Sequence, residues 1–161
     1  MDLTQLFPFI LFLHVLGAVI AFGPTFAYSI MGGMAGREPQ HANFSSRQVA
    51  AIGRGIVYPL AIVQGITGVL LIVSGKLDVM SRAWLGIAIV LYLILVTYGL
   101  TIQRMALHHL IEMTSTPPPS GSPPGPPPEI AAQVKKVQRG GMFLGLLIVI
   151  IVFLMVVKPT F

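Results

Sequence analysis

Four long stretches of this 161-residue chain carry no charged side chain. They cover residues 3–36, 55–75, 83–103 and 140–157. An apolar helix needs about 20 residues to cross the hydrocarbon core of a bilayer, and each stretch is that long or nearly so. In lipid the backbone must satisfy its own hydrogen bonds, which a helix does within one segment. The sequence therefore predicts an all-α polytopic membrane protein, a bundle of four transmembrane helices.

The composition agrees with this class. Hydrophobic residues make up 55% of the chain and charged residues 9%, whereas a soluble domain carries charge on about a quarter of its positions. There is no cysteine, which excludes disulfides, thiolate metal sites and a cysteine nucleophile. No basic region precedes the first apolar stretch, so we expect a retained span and not a signal peptide.

The expected spans run over about 6–31, 50–74, 83–104 and 140–157 and form a single domain. Residues 116–128 are rich in proline, which fixes φ and favours an extended, polyproline-like chain. We interpret this segment as a spacer between spans 3 and 4. Small residues recur at Ala61, Gly65 and Gly68 of span 2, and Gly141 and Gly145 form a GxxxG pair in span 4. Such stripes predict close approach of another helix.

The basic residues are unevenly distributed between the two sides of the predicted bundle. Lys76, Arg82 and Lys158 fall on the side of the two termini. The other seven fall in or beside the 1–2 and 3–4 loops: Arg37, Arg47, Arg54, Arg104, Lys135, Lys136 and Arg139. The positive-inside rule then predicts cytoplasmic loops and external termini, in a bacterial inner membrane. We attribute the basic residues to topology and to anionic lipid, and expect no nucleic-acid partner.

Three polar side chains fall near the middle of the membrane, one on each of the first three spans: His14, Gln64 and Tyr92. Polar groups in hydrocarbon need partners, so we expect these three to face inward and lie near one another. One interpretation is an interhelical hydrogen-bond clamp. No Asp, Glu, Lys or Arg lies deep in a span, which argues against a proton-driven pump or an ion channel.

A second interpretation makes His14 a metal ligand, axial to a haem, or a contact to a porphyrin or quinone. Neutral imidazole is a good iron ligand. Arg54 and Arg104, at the loop-side ends of spans 2 and 3, would then hold propionate or phosphate groups by charge-assisted bonds. The position of both arginines is explained equally well if their side chains extend to lipid headgroups. We interpret His108, His109 and Glu112 as solvated side chains and not as a metal site. The methionines are scattered along the sequence and do not indicate a copper site.

The residues also carry a family resemblance. The segment Phe12-Leu13-His14-Val15-Leu16-Gly17-Ala18 resembles the first span of a family of small four-helix bacterial membrane proteins of unknown function. It is more distantly similar to the first helix of copper-resistance protein D and of the membrane protoporphyrinogen oxidase. Those likenesses imply a porphyrin or copper connection at His14. The oxidase pattern pairs this histidine with an intramembrane lysine, and no predicted span here contains one.

The absence of acid–base residues at depth, the small-residue stripes and the spacer favour a non-catalytic accessory or scaffold subunit of a larger membrane complex, such as a bioenergetic one. We therefore do not expect an enzyme, and expect other membrane subunits or further copies of the chain as partners. The alternative is a small haem- or porphyrin-binding membrane protein with a redox role, with His14, Gln64, Tyr92, Arg54 and Arg104 at its site. Copper handling is the third hypothesis.

Overall fold

A computed structural model describes residues 3–116 and 125–160 of the chain. The helices are α1 (Leu3–Arg37), α2 (Ala42–Ile52), α3 (Tyr58–Ser74), α4 (Ala83–Tyr98), α5 (Arg104–Met113) and α6 (Pro128–Val157), and no strand occurs among the described residues. Most of the proline-rich linker, residues 117–124, lies outside the described part.

Four continuous helical segments are long and apolar enough to cross a bilayer: Thr4–Arg37, Pro39–Ser74, Ala83–Met113 and Pro128–Val157. The all-α, four-helix membrane fold is thereby confirmed. Each segment has at least 30 residues, more than the roughly 20 that lipid requires. Relative to the expected spans, the excess length lies mainly at the loop-side ends of the four segments, so we expect the helices to extend past the lipid on that side.

Two turns of π-helix interrupt the second and third segments. The first, Gly53–Val57, joins α2 to α3, and the second, Gly99–Gln103, joins α4 to α5. In the first, the Tyr58 N–H reaches back to the Gly53 carbonyl. Pro59 follows at once, and because proline has no N–H, a wider turn before it accommodates the missing bond without ending the helix. Turns of this kind often lie beside functional sites.

Helices α1 and α3 pack as an antiparallel pair, and contacts along them show the register. The Phe7 ring meets Gly75 at one end, where a Cβ on the glycine would lie 2.8 Å from ring carbon Cε2. Further along, His14 lies against Gly68. The pairing continues at Gly17, which lies against Gln64.

Helix α6 runs antiparallel to α4 and α5. Trp84, Leu85, Ala88 and Leu154 form one buried cluster between them. Leu95, Leu147 and Ile148 form a second, against which Phe22 of α1 also packs. Contacts of α1 with both α3 and α6 therefore join the two antiparallel pairs.

The termini-side turn between α3 and α4 is short and polar. The Met80 N–H donates to the Asp78 carboxylate at 3.0 Å. Hydrogen bonds from Ser81 and from this N–H hold the pKa of the Asp78 carboxyl below its ordinary value.

Beyond the expected hydrocarbon boundary the helices continue as a packed extension. About 20 residues of helix cross the core, so counting from Ser74, Ala83 and Val157 the boundary falls near Gly55, Ile102 and Gln138. The turns past it, residues 27–37, 42–53, 104–113 and 128–139, form what we call the loop-side platform. Its small core consists of Ala106, Leu107 and Leu110, all at most 7% exposed.

Side-chain amides hold the platform together by donating to backbone carbonyls of neighbouring helices. Asn43 donates to the Ile111 carbonyl at 2.9 Å, and Gln133 to the Ala106 carbonyl at 2.6 Å. Gln103 donates to the Val137 carbonyl at 3.0 Å. The Ala106 and Val137 carbonyls lie within helices and already accept one bond, so Gln133 and Gln103 use the second lone pair. The Ile111 carbonyl lies in the last turn of α5, where helix carbonyls lack an intrahelical partner, and Asn43 supplies one.

Candidate functional site

A cluster of three polar side chains lies between α1 and α3: His14, Gln64 and Thr67, called here the His14 cluster. The His14 Nδ1 atom lies 2.8 Å from Thr67 Oγ1. Its Nε2 atom lies 3.1 Å from the amide nitrogen of Gln64. Gln64 and Thr67 are 7% and 8% exposed. The structure thus brings His14 and Gln64 into direct contact and adds a third member.

With the Gln64 amide oriented as it is here, the hydrogen bonds fit one tautomer of a neutral imidazole. The Gln64 amide nitrogen only donates, so His14 Nε2 must accept, and the ring proton is then on Nδ1. Nδ1–H donates to the Thr67 hydroxyl, which in turn donates to the Val63 carbonyl at 3.0 Å. The imidazole is neutral in this chain of bonds, and both of its nitrogens are engaged.

Glycines make room for this cluster. A Cβ on Gly17 would lie 2.9 Å from Oε1 of the Gln64 side chain, and a Cβ on Gly68 would lie 3.4 Å from His14 Cε1. The stripe predicted on span 2 is therefore used in part to receive the imidazole. The polar atoms pack directly against neighbouring helix surfaces.

Tyr92 forms a separate contact on the other side of α3. Its hydroxyl donates to the Ala61 carbonyl, and a Cβ on Gly65 would lie 2.9 Å from that oxygen. Tyr92 bridges α4 and α3, and it makes no hydrogen bond to His14 or Gln64 within the described structure. The same stripe of small residues thus serves two contacts at once, Tyr92 at Gly65 and His14 at Gly68.

Arg54 and Arg104 lie at the level of the two π turns. Both side chains are exposed, and both are close enough to Tyr58 to interact electrostatically. Tyr28 of α1 lies close to Tyr58, and its buried hydroxyl has no hydrogen-bond partner among residues 3–116 and 125–160. The two arginines therefore belong to a polar region at the membrane boundary, well removed along the helices from the His14 cluster.

The histidines of α5 form only loose, exposed pairs. His108 Nδ1 lies 3.3 Å and His109 Nδ1 3.8 Å from the Glu112 carboxylate, with all three side chains at least 60% exposed. No group of three or more His, Cys, Asp or Glu suited to a metal ion occurs within residues 3–116 and 125–160.

Sequence reasoning did not assign Thr67 to the site. The available signal was its spacing, because residues three apart on a helix share a face and Thr67 follows Gln64 by three. The amide bonds of Asn43 and Gln133 were also not foreseen. Nothing in the sequence separates those two amides from other polar residues of the loops.

Four helices long and apolar enough to cross a membrane, with a hydrogen-bonded polar cluster between two of them, are the features of a multi-pass integral membrane protein. Residues 8–159 match the family model described as "Predicted integral membrane protein (DUF2269)". The chain belongs to that family, which confirms the family resemblance that residues 12–18 suggested. No curated protein and no solved structure matches the chain.

Proposed function

We propose that this protein is a non-catalytic accessory or scaffold subunit of a larger membrane complex. The observation that carries the proposal is the loop-side platform, a packed helical extension that presents an apolar side chain outside the expected hydrocarbon region. Phe44 of α2 is 55% exposed there. It lies eleven residues before Gly55, which corresponds to about 16 Å along a helix.

An exposed phenylalanine on a folded platform is the kind of residue that anchors a protein interface. Aromatic side chains at interfaces supply large apolar area and often dominate the binding energy. Phe44 is held on α2, which Asn43 fixes to α5 through the bond to Ile111. This bond holds the helix that carries Phe44 in place, and such pre-organisation lowers the cost of docking a partner.

The GxxxG pair of α6 supports the same proposal. Gly141 is exposed, and a Cβ on Gly145 would meet nothing within 4 Å. Gly140, one residue earlier, is instead the position against which Tyr98 of α4 and Gln103 of the following π turn pack. The small-residue surface at Gly141 and Gly145 is thus left for a helix of another subunit.

The geometry of the His14 cluster does not favour the haem or copper hypotheses. A metal bound at Nε2 would need the lone pair that now accepts the Gln64 amide, and a metal at Nδ1 would displace the Thr67 bond. Stabilisation of the α1–α3 pair is the role that these contacts support.

We propose cytoplasmic loops and external termini, in a bacterial inner membrane, from the excess of basic residues at the platform. Because the chain has no cysteine, single substitutions can report its topology. In intact cells, an Asp78→Cys variant is expected to react with a membrane-impermeant maleimide and a Glu38→Cys variant only after lysis. Both positions are exposed, so the reverse pattern would invert the proposed orientation.

The accessory role predicts stoichiometric partners. Purified in mild detergent, the wild-type protein is expected to retain other membrane subunits and to show no Soret band. Phe44→Ala should lower partner recovery by about tenfold or more, as truncation of an interface anchor does. Quantitative mass spectrometry and a visible spectrum of the same sample measure both quantities.

Phe9→Ala is the matched control, since Phe9 is 69% exposed on the membrane part of α1 and the substitution is identical. It should leave partner recovery unchanged. Recovery of the chain without partners, or a Soret band that His14→Ala abolishes, would contradict the accessory role.

A further inference from the structure

We infer that a basic recess between α4 and α6 binds the headgroup of an anionic phospholipid. The recess encloses about 370 Å³ and is lined by Tyr98, Ala132, Lys135, Lys136, Arg139 and Gly140. This site is independent of the accessory role, because no partner protein is needed to form it.

The helical spacing explains why the basic residues meet at one place. Lys135 and Arg139 are four residues apart and Lys136 and Arg139 three apart, so all three share a face of α6. That face is turned toward Tyr98 of α4. Three positive side chains line the recess, and no acidic one does.

Gly140 and Tyr98 lie close together in the lining of the recess. A Cβ at Gly140 would lie 3.1 Å from the Tyr98 hydroxyl. The Tyr98 ring is held from the other side by Phe143, with ring centroids 5.1 Å apart at 67°. The hydroxyl makes no hydrogen bond within the described structure, so it remains able to donate to a ligand in the recess.

The position along the membrane normal identifies the source of the anion. Arg139 precedes Val157 by 18 residues, about 27 Å of helix, so it lies at the boundary of a hydrocarbon core about 30 Å thick. Lipid phosphates occupy this level. Basic pockets between transmembrane helices at this level bind anionic headgroups, and lysine and arginine donate charge-assisted bonds to phosphate oxygens.

Native mass spectrometry of the full-length protein with added phosphatidylglycerol or phosphatidylcholine tests the inference. Wild-type protein is expected to bind phosphatidylglycerol about tenfold or more tightly than phosphatidylcholine, because each basic residue near the membrane surface favours an anionic headgroup. The triple variant Lys135→Gln, Lys136→Gln, Arg139→Gln should lose this preference. Tyr98→Phe, which keeps the ring on Phe143, should weaken phosphatidylglycerol binding about fivefold.

The matched control removes the same charge from the opposite end of the bundle, with Lys76→Gln, Arg82→Gln and Lys158→Gln. It should keep the preference for phosphatidylglycerol. Equal losses in the two triple variants would show attraction by net charge alone and overturn the site, as would an unchanged preference in the first. If inorganic phosphate competes at the same concentration as the lipid, the ligand is a free anion and the lipid assignment fails.

Discussion

Replacing His14 with leucine is expected to lower the free energy of unfolding by about 1–3 kcal/mol, the cost of leaving a buried polar group without its partner. The Gln64 amide, 7% exposed, would lose the Nε2 acceptor. The Thr67 hydroxyl would be affected less, because it donates to the Val63 carbonyl in any case. Reversible unfolding in mixed micelles, followed by circular dichroism, measures the change.

The double variant His14→Leu, Gln64→Leu distinguishes a hydrogen-bond clamp from simple packing. Removing both partners of a buried bond costs less than removing one, so the double variant should recover much of the stability lost in His14→Leu. Hydrogen bonds between membrane helices have coupling energies of about 0.6 kcal/mol on average and about 1.7 kcal/mol at most, and a value of that size is expected here. Strictly additive losses would refute the clamp.

His108→Leu is the control for the loss of an imidazole as such. His108 is 71% exposed on the platform and pairs with Glu112, and an exposed pair contributes little. Its replacement should leave the unfolding midpoint unchanged.

The second large effect is expected at Gly140, where a leucine should destabilise the fold by about 1–3 kcal/mol through overpacking. A Cβ at this position would already collide with the Gln103 side chain and press on the Tyr98 hydroxyl. The Gln103 amide would have to leave the Val137 carbonyl, and the α5–α6 contact would open. Gly140→Ala should cost less, because the end of the Gln103 side chain can swing away for the loss of one bond worth about 1 kcal/mol.

Gly145→Leu is the matched control on the same helix, since nothing lies within 4 Å of a Cβ there. Its stability should equal or slightly exceed that of the wild type, because leucine favours a helix more than glycine does. If Gly140→Leu and Gly145→Leu unfold at the same denaturant concentration, the close approach of Gln103 and Tyr98 to Gly140 is wrong.

The fold class could be predicted from the sequence because lipid imposes one strong rule. Uncharged runs of about 20 residues must become helices where no water can satisfy the backbone, and four such runs determine the bundle. The level of His14 and Gln64 also followed from counting residues, since a helix rises about 1.5 Å per residue. Counting residues gives the depth of a side chain along the helix, but it does not give the neighbouring helix toward which that side chain points.

The details that could not be predicted depend on rotation and register. Tyr92 lies near the level of Gln64 but meets Ala61 and Gly65 on another side of α3. In α6, Gly140 and not the GxxxG pair receives the side chains of Tyr98 and Gln103. This contact depends on the direction in which Gln103 leaves the π turn before α5. The π turn at Gly99–Gln103 alters that rotation, and no composition signal marks it.

Each π turn also changes the phase of the helix beyond it. One additional residue in a turn rotates the rest of the helix by about 100°, the angle between successive side chains of an α-helix. The surface of α5 that Leu107 and Leu110 present to the platform core is therefore set independently of the surface that α4 presents within the lipid. The side chains beyond the membrane boundary and those that face lipid therefore point in directions that are set separately, although they belong to one continuous helix.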